Sequence, residues 1–366
     1  MRIVPINSAK EGSFLGKTLF DDDGRVLLRE GVKLTNILIT KITHHKINTI
    51  YIKDEYSSIE IEDIIKPQLR QKAIKSVKDT FLSFNKPQGL KGSSYVAKQA
   101  FNEAKERDIQ FHKMSEVALE LMEELTTKKA LLIDLVDIKS MDNYTYQHCV
   151  NVAVLSLIIG LHLKFSKDEL YELCIGAILH DIGKVFIPKE LINKPGKLTD
   201  EEFTEMKSHT FRGYDYMKNS PEISAPARII ALQHHERYDG RGYPEGRRGT
   251  EINKLAKVVA IADVYDALTS DRPYRSAMCP SEALELIMGG GETQFDFKMV
   301  QVFSSIVVPF SVGTLVKLNN NIIGVVLENN LGFPLRPILK MVESAKVINL
   351  FTELDMVIIG IVYNLD

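Results

Sequence analysis

The sequence predicts a mainly helical protein: a helical bundle with a small α+β module before it and a small β region after it. Apolar residues recur at helical spacing through most of residues 128–307. Several of these segments begin at capping residues, such as Ser166 before KDEL and Thr199 before DEE. Short β-rich runs with turn signals stand at the two ends of the chain.

The first 66 residues read as the small α+β module. The sequence there predicts three strands, a turn and one helix: Arg2–Ile6, Arg25–Leu28 and Thr49–Lys53, the DDDG turn at Asp21–Gly24, and Asn36–Lys46. Residues 67–127 follow as a helical linker region. It comprises helices at Gln68–Phe84 and Tyr95–Leu125, with a polar loop or hinge at Asn85–Ser94 between them.

Residues 128–307 form the predicted bundle. Its expected helices are Asn143–Leu163, Asp168–His180, Asp200–Lys218, Ala225–Arg237, Leu255–Ser270 and Ser281–Met288. After Pro309 the pattern changes to VGTLVKL, an NNN turn and IIGVVLE, which is typical of a β-hairpin. Further strand-like runs at Ala345–Leu350 and Met356–Val362 complete the β region, residues 308–366.

Composition excludes several classes of protein. Among 366 residues, 46 Lys and Arg against 48 Asp and Glu give a net charge of −2, which argues against a general DNA binder. The three cysteines form no CxxC pair, and the first residues lack the apolar core of a signal peptide, so we expect a cytoplasmic protein. The most apolar stretch, Val150–Leu163, is too short to span a membrane and is expected to be a core helix.

Histidines and acids cluster in the predicted bundle. Each group lies in or at the end of a separate helix, so the groups can converge on one interior: His148, His180 with Asp181, His209, His234 with His235, and Asp263. Five imidazoles and two carboxylates exceed the roughly six ligands of one first-row ion, so the set favours a two-metal centre with Asp181 as the bridge. The other four histidines, at positions 44, 45, 112 and 162, are expected to have ordinary structural or surface roles, and Cys149 to be a core residue.

Three cations accompany this set. Lys184 follows the proposed bridge in HDIGK, while Arg272 and Arg275 follow Asp263 in SDRPYR. Arginine pairs with phosphate oxygens in a bidentate manner, and lysine supplies a point charge. The three residues therefore point to a phosphate clamp and to phosphoryl chemistry.

These motifs resemble the HD-GYP phosphodiesterases. The resemblance rests on HDIGK at His180–Lys184, HHERYDGRGYP at His234–Pro244 and ADVYDALTSDRPYR at Ala262–Arg275, and it covers residues 128–307. It implies an HD-type bundle that hydrolyses the bacterial messenger cyclic di-GMP to pGpG and often on to GMP. The attacking water would be activated by two divalent ions, Fe, Mn or a related transition metal. It also implies that the seven clustered histidines and acids are the metal ligands, that Lys184 stabilises charge on the phosphate, and that Arg272 and Arg275 contact phosphate or guanine.

One departure and several alternatives remain open at this point. Some members of the family carry a Glu one turn before the first His and hold a third metal; Tyr144 stands there, which favours two. The chain could instead be a receptor that binds a cyclic dinucleotide without turnover, or act on another such nucleotide, for example cyclic GMP-AMP. The resemblance also leaves open a homodimer and a cyclase or adaptor protein that docks on the GYP loop, Asp239–Gly246.

Overall fold

The computed structural model confirms the mainly helical architecture with small sheets near both ends. It describes residues 1–21, 25–45, 47, 49–56, 63–83, 93–128, 133–134, 144–270, 277–330 and 332–365. The predicted DDDG turn beyond Asp21, most of the predicted loop 85–94, and both Arg272 and Arg275 therefore lie outside the described residues. No helix among the described segments is long and apolar enough to cross a membrane.

The amino-terminal module has the predicted α+β composition. Its strands are β1 (Arg2–Pro5), β2 (Phe14–Leu15), β3 (Leu19–Phe20), β4 (Val26–Leu28) and β5 (Thr49–Lys53), and its helix is α1 (Asn36–His44). β5 lies between β1 and β2 in an antiparallel sheet, and β3 pairs with β4. The Thr35 side chain accepts the Leu38 N–H and so caps α1. A separate apolar core that includes Val4, Leu15 and Ile50 holds the module together.

Two long helices follow, α2 (Pro67–Ser83) and α3 (Ser93–Thr126). Each helix places an apolar face in the same hydrophobic core as the bundle, where Val77, Phe111 and Leu121 are fully or almost fully buried. The boundaries of the four predicted regions, residues 1–66, 67–127, 128–307 and 308–366, stay predictions. In the packing, however, α2 and α3 contribute to the bundle rather than standing apart from it.

The bundle helices lie close to their predicted positions. They are α4 (Tyr144–His162), α5 (Lys167–Ile178), α6 (Lys189–Ile192), α7 (Asp200–Lys207), α8 (His209–Lys218), α9 (Ala225–Gln233), α10 (Lys254–Thr269), α11 (Pro280–Gly289) and α12 (Phe297–Ile306), with short 3₁₀ turns at Ile182–Phe186 and Gly249–Glu251. Ser166 and Thr199 cap α5 and α7 as predicted, and each forms a capping box with the residue three positions later. Helices α6 and α12 were not predicted from the sequence.

One predicted helix is wrong: Asp200–Lys218 is two helices, α7 and α8, divided at Ser208. Side chains compete there for three successive carbonyls, because Ser208 donates to Glu205, His209 to Met206 and Thr210 to Lys207. The predicted helix Ala225–Arg237 is also too long, since α9 ends at Gln233. Both corrections place histidines at helix ends.

The carboxyl-terminal region is the predicted β structure. β8 (Leu315–Leu318) and β9 (Ile323–Glu328) form the hairpin, and with β10 (Ile338–Met341), β11 (Val347–Asn349) and β12 (Ile358–Val362) they make a sheet of order β11-β10-β9-β8-β12. Strand β10 was not predicted. A short parallel pair, β6 (Ile133–Asp134) with β7 (Val307–Val308), closes the bundle. The tail returns to the first module, where the Arg2 guanidinium donates to the Tyr363 carbonyl.

Candidate metal centre

The seven predicted ligands come from five places in the bundle and meet in its interior. His148 lies one turn into α4, and Asp263 lies within α10. The other five lie at helix ends: His180 and Asp181 after α5, His209 at the start of α8, and His234 and His235 after α9. A helix end lets the chain turn so that adjacent residues can both face the interior.

The ligand atoms form two groups. His148, His180 and Asp263 make group A, and Asp181, His209, His234 and His235 make group B; within each group the candidate atoms lie within 4.8 Å of one another. In group A, His148 Nε2 is 3.1 Å from Asp263 Oδ1. Clusters of imidazole and carboxylate at this spacing suit divalent transition metals.

Asp181 lies between the two groups and directs one oxygen at each. Its Oδ1 is 3.5 Å from His209 Nε2 and 3.9 Å from His234 Nε2. Its Oδ2 is 3.4 Å from His180 Nε2 and 3.9 Å from His148 Nε2. A carboxylate in this position can bridge two cations, one in each group.

Hydrogen bonds set the tautomer of most of these imidazoles. Three of them use Nδ1 to contact a carbonyl three residues earlier: His180 on Ala177 at 2.7 Å, His209 on Met206 at 2.7 Å and His234 on Ala231 at 2.9 Å. A carbonyl oxygen only accepts, so each Nδ1 carries the hydrogen, and each Nε2 of a neutral ring presents a lone pair to the interior.

The residues present fit a pair of metal ions. His209 Nε2 and His234 Nε2 face each other at 3.5 Å, and burial lowers the pKa of both rings, so protons do not neutralise these lone pairs. His180 Nε2 and Asp181 Oδ1 are buried, and neither has a hydrogen-bond partner among the described residues. Buried acceptors without donors are costly, and cations would satisfy them.

His148 is held differently from the other imidazoles. Its Nδ1 bonds Asp266 Oδ2 at 2.7 Å, and its Nε2 faces Asp263. Burial alone would lower the pKa of His148, but hydrogen bonds to the two carboxylates outweigh burial and raise it to about 9. The same contacts hold the pKa of Asp263 well below its usual range in spite of its burial.

Asp266 is a residue that the sequence analysis missed. It is fully buried, and besides His148 it accepts a hydrogen bond from Asn151 Nδ2 at 3.0 Å. Asn151 in turn accepts from Arg70 Nη1 at 3.0 Å, so a chain of hydrogen bonds runs from α2 to a ligand of group A. Its sequence signal is the three-residue spacing between Asp263 and Asp266, which places both on one side of α10.

Lys184 contacts the carboxylate between the groups. Its Nζ is 2.5 Å from Asp181 Oδ2, and the lysine keeps 31% of its side chain exposed. Asp181 outweighs burial and raises the pKa of Lys184, while Lys184 and His180 hold the pKa of the buried Asp181 well below its usual range. Neighbouring Gly183 permits close packing, since a Cβ there would lie 1.9 Å from the His209 carbonyl oxygen.

The GYP loop borders group B. Tyr243 lies over His235, with ring centroids 4.8 Å apart and 33° between the planes. The buried Glu236 accepts the N–H groups of Glu245 and Arg247, which fixes the far side of the loop. Gly242 lies against the chain behind it, where a Cβ would be 2.3 Å from the Arg237 nitrogen. Glu236 and Tyr243 were not singled out from the sequence.

Residues expected to play no part in the centre lie apart from both groups. His162 is exposed, with Nδ1 on the Ile158 carbonyl, and His112 pairs with Glu222. Cys149 is fully buried in the apolar core, as predicted.

The chain belongs to the HD domain family, whose model matches residues 112–299. It is 39% identical over 215 residues to a cyclic di-GMP phosphodiesterase of Pseudomonas aeruginosa, a match that covers 59% of this chain and 52% of that protein. It is 42% identical over 145 residues to the cyclic di-GMP phosphodiesterase response regulator RpfG of Xanthomonas campestris, covering 39% and 38%. A 3'3'-cGAMP-specific phosphodiesterase of Vibrio cholerae is 34% identical over 168 residues, covering 45% and 38%.

These relatives confirm the resemblance that the motifs predicted. The matches span about half or less of the relatives' own lengths.

Proposed function

We propose that this chain is a metal-dependent phosphodiesterase that hydrolyses cyclic di-GMP to pGpG and on to GMP. The observation that carries the proposal is the Asp181 carboxylate, which presents one oxygen to each of two buried ligand groups. The relatives named as cyclic di-GMP phosphodiesterases supply the substrate class.

In this proposal the seven clustered residues are the metal ligands, and Asp181 serves both ions. Iron or manganese suits a set of imidazoles and carboxylates without thiolate. When bound, the two ions would supply Lewis-acid charge for the phosphate oxygens and lower the pKa of the attacking water. The metal count of two stays a prediction, since the side chain of Tyr144 lies outside the described residues.

The chain's own residues position the substrate. Lys184 is partly exposed and reaches Asp181, so its ammonium can contact a non-bridging phosphate oxygen beside the bridge. Arg272 and Arg275 keep their predicted role as further phosphate or guanine contacts. Cys149 is the thiol nearest in sequence to a ligand, but burial raises its pKa, so it stays a thiol and water is the nucleophile.

In each step a water oxygen adds to phosphorus and the P–O3′ bond breaks. The leaving 3′ oxygen takes up a proton, so each hydrolysis consumes one water and needs no other reactant.

The experiment is product analysis with a panel of cyclic dinucleotides. Protein loaded with Fe or Mn is incubated with cyclic di-GMP, 3'3'-cGAMP and cyclic di-AMP, and the products are separated by chromatography. We expect pGpG and then GMP from cyclic di-GMP, at rates at least tenfold above those with the other two. Faster cleavage of 3'3'-cGAMP would assign the chain the activity named for its Vibrio relative, and binding without any product would assign it a receptor role.

Three further interpretations remain predictions: a cytoplasmic location, a homodimer, and a cyclase or adaptor protein docked on the GYP loop. Pro244, Glu245 and Gly246 of this loop are exposed.

A further inference from the structure

A cavity of about 340 Å³ opens beside group B. His234 and His235 form one side of it, and Phe203, Lys207, Arg241 and Tyr243 are among the residues on the others. Its volume is at the small end of ligand pockets, which run from about 300 to 1,000 Å³. It therefore suits one part of a dinucleotide rather than the whole.

Two cations in this cavity have no ion-pair partner. Among the described residues, no carboxylate oxygen lies within 4 Å of Lys207 Nζ or of the Arg241 guanidinium. Asp239 accepts the backbone N–H of Arg241, and its pKa is lowered most by the hydrogen bond from Arg237 and less by the charge of Arg241. The Arg237 guanidinium holds the two Asp239 carboxylate oxygens at 3.2 and 3.0 Å. Both cations are thus available to a ligand.

Local contacts hold these cations at the cavity. Lys207 is half-buried in the last turn of α7, and its Nζ lies 5.0 Å from the centroid of the Phe203 ring. Arg241 stands between Gly240 and Gly242 in the GYP loop, which Glu236 fastens from behind. The cavity also includes Glu236, but its two oxygens accept the N–H groups of Glu245 and Arg247. A lysine and an arginine that line one cavity outside any ion pair form a site for an anion, and phosphate is the anion that both recognise.

This pair lies apart from Lys184. Lys184 bonds Asp181 Oδ2, the oxygen that faces group A, whereas the cavity adjoins His234 and His235 of group B. Lys184 is not among the residues that line the cavity, so Lys207 and Arg241 would be cationic contacts additional to it.

We propose that Lys207 and Arg241 form a subsite for the terminal 5′-phosphate of linear pGpG during the second hydrolysis. The proposal rests on the proposed function. After the first cleavage the remaining phosphodiester must occupy the metal centre, which leaves the new 5′-phosphate one nucleotide away. A terminal phosphate carries a charge of about −1.5 to −2 near neutral pH, against −1 for a diester, so two cations favour the linear intermediate over the cyclic substrate.

The test compares pGpG with GpG, which differ only in the terminal phosphate. We measure kcat/KM for hydrolysis of both and the Kd of both, using the metal-loaded full chain and the variant Lys207→Ala/Arg241→Ala. The wild type should prefer pGpG by about tenfold or more, as expected for charge-assisted contacts, and the variant by about twofold or less. During cyclic di-GMP turnover the variant should accumulate pGpG.

A matched control removes the same charge away from the cavity. Lys167→Ala/Lys218→Ala changes two exposed lysines and should keep the preference for pGpG. Thermal unfolding and metal analysis confirm that each protein is folded and loaded.

The subsite is overturned if the wild type binds and cleaves pGpG and GpG alike, or if the Lys207→Ala/Arg241→Ala variant keeps the preference. It is also overturned if the control loses the preference to the same extent, because a general charge effect would then explain it. If cyclic di-GMP is not cleaved but the Kd preference for pGpG depends on Lys207 and Arg241, the proposed function fails and the phosphate subsite stands.

Discussion

His148 in group A is held in the opposite way to His209 and His234 in group B. In group A, His148 lies between the carboxylates of Asp263 and Asp266, and its pKa is raised to about 9. In group B, the Nδ1–H groups of His209 and His234 meet backbone carbonyls, and burial lowers the pKa of each ring. Group A therefore contains one imidazole held between two carboxylates, beside His180, which contacts the Ala177 carbonyl. Group B contains neutral imidazoles together with the Asp181 carboxylate.

This difference in hydrogen bonding gives the imidazoles of the two groups different properties as metal ligands. A carboxylate behind an imidazole makes the ring a more basic ligand, whereas a carbonyl mainly fixes its tautomer and orientation. In group A a metal would compete with a proton on His148. In group B a metal would meet the Nε2 lone pairs of His209 and His234, which carry no proton. Asp181 joins the two halves and should be the residue on which both depend.

Asp181→Ala should therefore have the largest effect. We expect the loss of both metals and of cyclic di-GMP hydrolysis to background, because each Asp181 oxygen faces a different group. Asp263 also faces both groups, but its Oδ2 lies 3.9 Å from His235 Nδ1, farther than the 3.5 Å between Asp181 Oδ1 and His209 Nε2. Elemental analysis by mass spectrometry and product chromatography measure the two losses. His162→Ala is the control and should keep full metal content. An Asp181→Ala protein with two metals would show that Asp181 is not shared.

Asp266→Asn should weaken metal binding in group A and leave group B almost unchanged. The substitution keeps the shape but removes the charge behind His148, and its amide cannot accept from both His148 and Asn151 with the same two oxygens. We expect metal affinity to fall about 10- to 100-fold in group A, with little change in group B. Titration of metal-free protein should then show one weak and one normal site. An equal loss at both sites would contradict the distinction.

The metal-free protein should be most stable near the ordinary pKa of histidine, about 6.5. Below that value the unfolded chain binds more protons than the fold, because burial lowers the pKa of His234, of His209 and of His235, the last to about 3; stability therefore falls as the pH falls. Above it the fold binds more, because the pKa of His148 is about 9; stability is lost as the pH rises from 6.5 through 9.

Thermal unfolding in EDTA across pH 5 to 10 measures this dependence. Asp266→Asn should flatten the alkaline side and leave the acidic side in place. A wild-type profile that is flat from pH 6.5 to 9 would show that His148 is not held as a cation.

The candidate ligands of both groups could be predicted from the sequence. The difference between His148 and the histidines of group B in their hydrogen bonds could not. Metal-binding side chains are recognisable by type and grouping, so the candidate ligands could be named before the fold was known. Asp266 carried a weaker signal, because α10 is buried on almost every side and its pattern distinguishes no ligand face. The break at Ser208 depends on which carbonyls its neighbours' side chains reach, and helix periodicity does not report that.

The terminal regions show the same limit. Alternating apolar residues predicted strands there, but the order of the strands and the strand β10 depend on pairing between distant segments. Equally, periodicity predicted α2 as a helix without showing that its Arg70 reaches Asn151 inside the bundle.

Arg70→Ala should produce the smallest of these effects and test how far the support of group A extends. Arg70 donates to Asn151, Asn151 to Asp266, and Asp266 accepts from His148, so the substitution removes the outermost of three hydrogen bonds. We expect group A to lose about three- to tenfold in metal affinity and group B to be unaffected, since the loss acts through positioning rather than at a ligand.

Lys72→Ala is the matched control on the same helix, because it removes an exposed ion pair with Glu120 that is remote from this chain of bonds. If Arg70→Ala weakened both groups alike, or Lys72→Ala weakened group A as much, α2 would act on the bundle through general stability. A loss confined to group A would instead mean that a helix outside the predicted catalytic region sets the affinity of one half of the centre, so that a displacement of α2 would alter His148 before any other ligand.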